Sequence, residues 1–149
     1  MKRIVICLIT MFVVMFSACK KSEQPFNYAD AYVGNYDVDV DATLNIPGIG
    51  TYPMTMPTSD GQIVKEGDEG DVIVTMFGQN VSGYARKDGL HMDPFVVNRQ
   101  ILGINMLLTI ATPVIEPPVD GVIRCTANIS ASIALGTVTG TADITAIKK

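Results

Sequence analysis

The 149-residue chain has no tryptophan, a single histidine and three cysteines, and only 17% of its residues are charged. Each scarcity excludes something. Any Ser-His-Asp or Cys-His site would have to use His91, yet no nucleophile elbow or cysteine motif accompanies it. Its neighbours Leu90 and Met92 read as an ordinary strand, so an enzyme is not expected. Eleven Lys and Arg stand against fifteen Asp and Glu, and the basic residues form no run longer than the pairs Lys2-Arg3, Lys20-Lys21, Arg86-Lys87 and Lys148-Lys149. Phosphate backbones need clustered positive charge, so no nucleic-acid partner is expected. A phosphate-binding loop is missing as well, because Pro47-Gly48-Ile49-Gly50 neither continues into Lys-Ser/Thr nor precedes a helix.

The carboxylates that are present are not expected to make a metal site, the loop of Glu66, Asp68, Glu69 and Asp71 being the better candidate of two acidic clusters. Asp37, Asp39 and Asp41 open like a calcium loop, but Ala42 stands where glycine is needed and Gly48 where the closing glutamate should be. On a strand, alternate residues lie about 6.6 Å apart, too far to share an ion held at about 2.4 Å. Glu66, Asp68, Glu69 and Asp71 surround Gly67 and Gly70 and read as an acidic turn. No metal and no cofactor is expected.

The N-terminus is the most explicit part of the sequence. Lys2 and Arg3 precede an uncharged apolar run from Ile4 to Phe16, followed at once by Ser17, Ala18 and Cys19. A charged region, an apolar region and a small-residue cleavage site in that order make a signal peptide. The apolar run would cover roughly 20 Å as a helix, short of the roughly 30 Å hydrocarbon core, so it is not expected to remain as a span. Phe16-Ser17-Ala18-Cys19 resembles the lipobox of bacterial lipoproteins, which implies cleavage before Cys19 and lipid attachment to its thiol. Two or more acyl chains, each worth about 0.8 kcal/mol per buried CH₂, would hold the protein at a membrane permanently. The expected organisation is therefore a signal peptide over 1–18, the lipidated Cys19 with a polar tether over 19–31, and one domain over 32–149. Cys7 leaves with the signal and Cys19 carries lipid, so Cys125 has no disulfide partner.

From Tyr32 onward the apolar period is two. Val38, Val40, Ala42 and Leu44 alternate with Asp37, Asp39, Asp41 and Thr43, the pattern of a half-buried antiparallel strand over 36–46. The turn residues Pro47 to Gly50 lead into 51–57, with Tyr52, Met54 and Met56 on one face; Pro53 and Pro57 make this strand short or an edge. Further strands are expected over 62–66, 71–77, 81–85 and 90–97, the last broken by Pro94. Residues 101–115 are apolar on both faces and fit either a doubly buried strand or a helix across one end. Cys125 to Ile133 and Thr137 to Thr145 alternate again, with Val138, Gly140, Ala142, Ile144 and Ala146 on the face opposite Thr137, Thr139, Thr141, Asp143 and Thr145. About eight strands with turns every 8 to 12 residues predict an all-β fold, an antiparallel up-and-down β-barrel with a β-sandwich as the alternative.

Tyr32-Val33-Gly34-Asn35-Tyr36, the Gly83-Tyr84 and Asp88-Gly89 turns, and the ending Gly140 to Ala146 resemble the small calycin-like or lipocalin-like lipoproteins of Bacteroidota. That resemblance implies an up-and-down barrel with room for a small apolar ligand. Two functions follow as expectations for a protein lipid-anchored to the outer membrane in the cell envelope. In the first, small residues on the inner face (Ala127, Ala131, Gly140, Ala142) leave space for an apolar ligand against an adaptable wall of Tyr52, Met54 and Met56. In the second, the domain holds a protein partner of the envelope, by an edge strand or by the apolar stretch 101–115. A cavity of several hundred Å³ would favour the first; a filled core with exposed apolar surface would favour the second.

Overall fold

A computed structural model describes residues 27–67 and 69–149. The signal peptide, Cys19 and most of the tether lie outside the described residues, as does Asp68. A short 3-10 turn, Tyr28–Ala31, precedes nine strands: β1 (Gly34–Ile46), β2 (Gly50–Lys65), β3 (Asp71–Met76), β4 (Gln79–Arg86), β5 (Gly89–Met92), β6 (Phe95–Ile101), β7 (Ile104–Ala111), β8 (Val122–Ile133) and β9 (Gly136–Lys148). They form one antiparallel sheet in the order β5-β4-β3-β2-β1-β9-β8-β7-β6, curled into a half-barrel. The chain is all-β and consistent with the up-and-down barrel expected from its alternation.

Every strand pairs with its sequence neighbours except β5 and β6, which lie at opposite edges of the sheet. Only Asp93 and Pro94 join them. Three Cα steps reach at most about 11 Å, whereas nine flat strands at about 4.8 Å spacing would hold the edges nearly 40 Å apart. The short link therefore obliges the sheet to curl. Pro94 ends the β4 side of the sheet, since Asp93 makes the last bond to it, through its N–H to the Ser82 carbonyl at 3.0 Å. The chain then starts the other edge as β6, so what reads as one strand over 90–97 is two.

Two other expectations change. The strands over 51–57 and 62–66 are a single sixteen-residue strand, β2. Val38 faces Ser59 but Val40 faces Met56, so Pro57 and Thr58 together oppose Asp39 as a β-bulge. The bulge shifts the side-chain parity, putting Ile63 and Met56 on the same inner face although their numbers differ in parity. Pro53 and Pro57 sit above the reach of β3, which pairs only with Gln62 to Lys65, so they lie on a free edge as their missing N–H groups demand. The stretch 101–115 is neither a doubly buried strand nor a helix: it holds the Leu102-Gly103 turn, β7 and an irregular crossing segment.

The core is the concave face of the curl. Along β1, Tyr36, Val38, Val40, Ala42, Leu44 and Ile46 are buried; along β9, Val138, Ala142, Ile144 and Ala146 are buried while Thr137, Thr139, Thr141 and Asp143 are exposed. One end is sealed by the 3-10 turn and by Ile115 of the crossing segment. Ile115 exchanges backbone bonds of 2.8 and 2.9 Å with Leu90, covering the edge of β5. Tyr32 donates its hydroxyl to the Ile115 carbonyl at 2.9 Å, and Tyr36 donates to the Tyr32 carbonyl at 2.5 Å. Both rings are buried, so these two bonds prevent the cost of about 1–3 kcal/mol attached to each unpaired buried polar group.

Candidate functional site

The inner face of the central strands arranges the candidate ligand residues in cross-strand rows. Tyr52, Leu44, Gly140 and Ile129 form one row; Met54, Ala42, Ala142 and Ala127 form the next; Met56, Val40, Ile144 and Cys125 form the third. Ala131 faces Val138 one step above the first row. The alternation thus brings all seven residues onto one concave surface, as their spacing implied. What surrounds them is tight. Ala127, Ala142, Ala131 and Met56 are buried, and Tyr52 and Met54 pack against the core from half-exposed positions. At Gly140 a methyl group would meet the Thr43 carbonyl oxygen and lie 2.9 Å from Leu44 Cδ2 and 3.0 Å from Leu44 Cα. Small residues here let β1 approach β9 closely.

Free space lies lower in the curl, in an apolar recess of about 40 Å³ lined by Tyr36, Val38, Met76, Leu90, Thr112 and Cys125 among others. None of the seven candidate residues lines it. One water occupies about 30 Å³ of liquid, so the recess has the scale of a packing defect rather than of a ligand pocket of about 300–1,000 Å³. The Thr112 hydroxyl is buried there without a hydrogen-bond partner. Cys125 borders the same recess, and burial, with a smaller contribution from Asp143, pushes its thiol up to about 11. At neutral pH it stays a protonated thiol and a poor nucleophile.

His91 is accounted for by its own hairpin. Its Nε2 lies 3.1 Å from Asp88 Oδ2, and its ring stacks on Tyr84 with centroids 4.7 Å apart. Arg86 also lies over the Tyr84 ring, 5.3 Å from its centre. The hydrogen bond with His91 holds the Asp88 carboxyl below its usual range. Among the described residues Asp88 is the hydrogen-bond partner of the His91 ring. The acidic face is likewise occupied: Thr55 donates to Asp41 at 2.8 Å, Thr58 to Asp39 at 2.5 Å and Thr126 to Asp143 at 2.6 Å. Lys149 spans Asp37 and Asp60 at 2.9 and 2.5 Å, which lowers the Asp60 carboxyl and raises the lysine. Among the described residues no three His, Cys, Asp or Glu side chains converge on a point that could hold a metal.

Exposed large apolar side chains are scattered over the surface, Val64, Val114, Val119 and Ile147 among them, but one element carries four. Val96, Leu102, Ile104 and Leu107 all belong to the β6–β7 hairpin; Leu107 is 64% exposed. Ile49 and Leu135, at the β1–β2 and β8–β9 turns, lie at the same end of the sheet and are exposed too. No charged residue occurs in 42–59, 100–115 or 125–142, and each of these stretches contains one of the three turns. No protein-family model, curated protein or solved structure matches the chain.

Proposed function

We infer that this is an outer-membrane lipoprotein of the cell envelope, anchored through Cys19, whose calycin-like β domain holds a protein partner rather than a small ligand. The observation that carries the reading is the β6–β7 hairpin, an edge element with four exposed large apolar side chains and Arg99 as its sole charge. Apolar surface grouped in this way on a chain rich in acidic residues marks contact with another molecule. The filled concave face favours this over the apolar-ligand alternative, which needs several hundred Å³ where about 40 Å³ is free.

Two measurements test the reading. Metabolic labelling with palmitate should mark the wild-type protein and not Cys19→Ala; label in the variant removes the anchor from the proposal. A photo-crosslinking amino acid at Leu107, on the outer face of β7, should link the protein to a polypeptide in intact cells. The same group at Thr126, on the outer face of β8 in mid-sheet, should not. Absence of any link from Leu107, together with a bound compound of a few hundred daltons in native mass spectra, would replace this reading with the ligand one.

A further inference from the structure

The edges of the sheet are protected unequally. In an antiparallel hairpin with a two-residue loop, the residues flanking the loop exchange both backbone bonds, and bonded pairs then alternate with unbonded ones. Applied to β6 and β7, with Leu102-Gly103 as the loop and Ile101 opposite Ile104, the bonded pairs fall at Ile101, Arg99, Val97 and Phe95. Val96, Asn98 and Gln100 accordingly turn their backbone N–H and C=O groups to the open edge. All three are exposed.

The same alternation on the upper half of β2 points positions 53 and 57 outward, and both are proline, so that edge cannot donate there. The edge of β5 is occupied by Ile115. On β6 the outward row meets one long bond of 3.4 Å, from Arg99 Nη1 to the Asn98 carbonyl, while the Arg99 guanidinium rests 5.8 Å from the Phe77 ring centre. An open row of backbone donors and acceptors is satisfied by another extended chain.

We propose that the chain covering β6 is a second copy of the same protein, paired antiparallel through β6 about a two-fold axis at Asn98. The proposal rests on the partner-binding reading above and names the partner. Charge admits a copy at this edge: each molecule has fifteen acids against eleven bases, but Pro94 to Ile115 contains no acid and only Arg99 as a base. The register is also self-compatible. With Asn98 opposite its symmetry mate, Val96 meets Gln100 and the two arginines face Val97 rather than each other. The pair would exchange about six backbone bonds and join the Val96 and Leu107 surfaces of both copies into one outer strip.

The test uses the full-length chain extracted from membranes in mild detergent, with sedimentation and native mass spectrometry to read its mass. The wild type should be a dimer. Asn98→Pro should weaken association by at least about thirtyfold, because it removes both bonds of the central pair, while its thermal midpoint stays near wild type, since the deleted N–H points away from β7. A monomeric wild type, or an equally dimeric variant, overturns the proposal. Should Asn98→Pro fail to fold, Asn98→Cys decides: mild oxidation should link two copies through position 98, and Cys125 does not compete at neutral pH because its thiol is held protonated. No link, or a link to a different polypeptide, overturns the second copy. The latter result would leave the broader partner-binding reading in place.

Discussion

Gly140→Ala separates two meanings of a small residue on a concave face. If the glycine leaves room for a ligand, a methyl group enters free space and the protein gains roughly 0.5–1 kcal/mol from lower chain entropy in the unfolded state. The packing says otherwise, because the added Cβ would collide with the Thr43 carbonyl oxygen and press on the Leu44 backbone. Neither can yield alone: Thr43 and Leu44 belong to β1, which is paired on one side with β2 and on the other with β9. Separating β1 from β9 at this point strains the ladder they share, and overpacking of this kind costs about 1–3 kcal/mol. After the entropy gain the net loss should be about 1–2 kcal/mol, or roughly 4–8 °C in melting temperature. Circular dichroism melts of the two proteins side by side read this directly. Gly48→Ala is the control, for Gly48 has φ +77 with nothing within 4 Å of an added Cβ. It should lose only the backbone strain of about 1–2 kcal/mol and leave strand packing intact. A Gly140→Ala protein that melts at or above the wild-type temperature would refute the close-approach argument and reopen the cavity.

Alternation along β9 predicts alternating tolerance: Ile144→Asp buries a charge and should cost several kcal/mol in urea melts, whereas Thr141→Lys on the exposed face should stay within about 1 kcal/mol. Asp41 and Asp143 stand directly opposite each other on the outer face, so Asp143→Thr should stabilise by a few tenths of a kcal/mol, an advantage that fades in molar salt. Burial raises the phenols of Tyr32 and Tyr36 above their ordinary value of 10.0. The folded state then holds those protons more tightly than the unfolded one. The stability they contribute is complete below pH 10 and falls as pH rises beyond it, so Tyr36→Phe should flatten the alkaline limb of the stability–pH curve. An unchanged alkaline limb would count against a buried Tyr36 hydroxyl.

The legible parts of this fold were those in which one face is buried and the other wet. Along β1 and β9 the alternation of Val and Ala with Asp and Thr fixes both the strand and its inward side. Legibility failed where backbone chemistry is atypical of its position. The Leu102-Gly103 and Phe77-Gly78 turns have positive φ at both residues, at 51 and 78 and at 52 and 74 degrees. Hairpin loops of that geometry usually begin with Asn, Asp or Gly, and a Leu inside an apolar run gives no sign of a turn. The β2 bulge is hidden for a similar reason: Pro57 reads as a stop, when it is an edge residue within a continuous strand. For the candidate site, spacing was enough to put Tyr52, Met54, Ala127 and Gly140 on one face. Whether alanines and glycines there mean room or contact depends on what stands opposite, and Leu44 and Thr43 enter only through the register.

The position of β9 between β1 and β8 has a consequence for when this domain can form. The first and last strands are neighbours at the centre of the sheet, and Tyr36 faces Lys148 across that ladder. A chain emerging from its N-terminus can assemble β1 to β5 as a meander, but β1 keeps an open side until the final residues arrive. Contacts so distant in sequence close slowly, because the loop entropy must be lost before any bond compensates for it. If the chain is exported in extended form, as proposed above, the delay would keep the sheet open until β9 has followed β1 to β8 across the membrane. The order of the strands makes β9 the segment on which closure of the sheet waits.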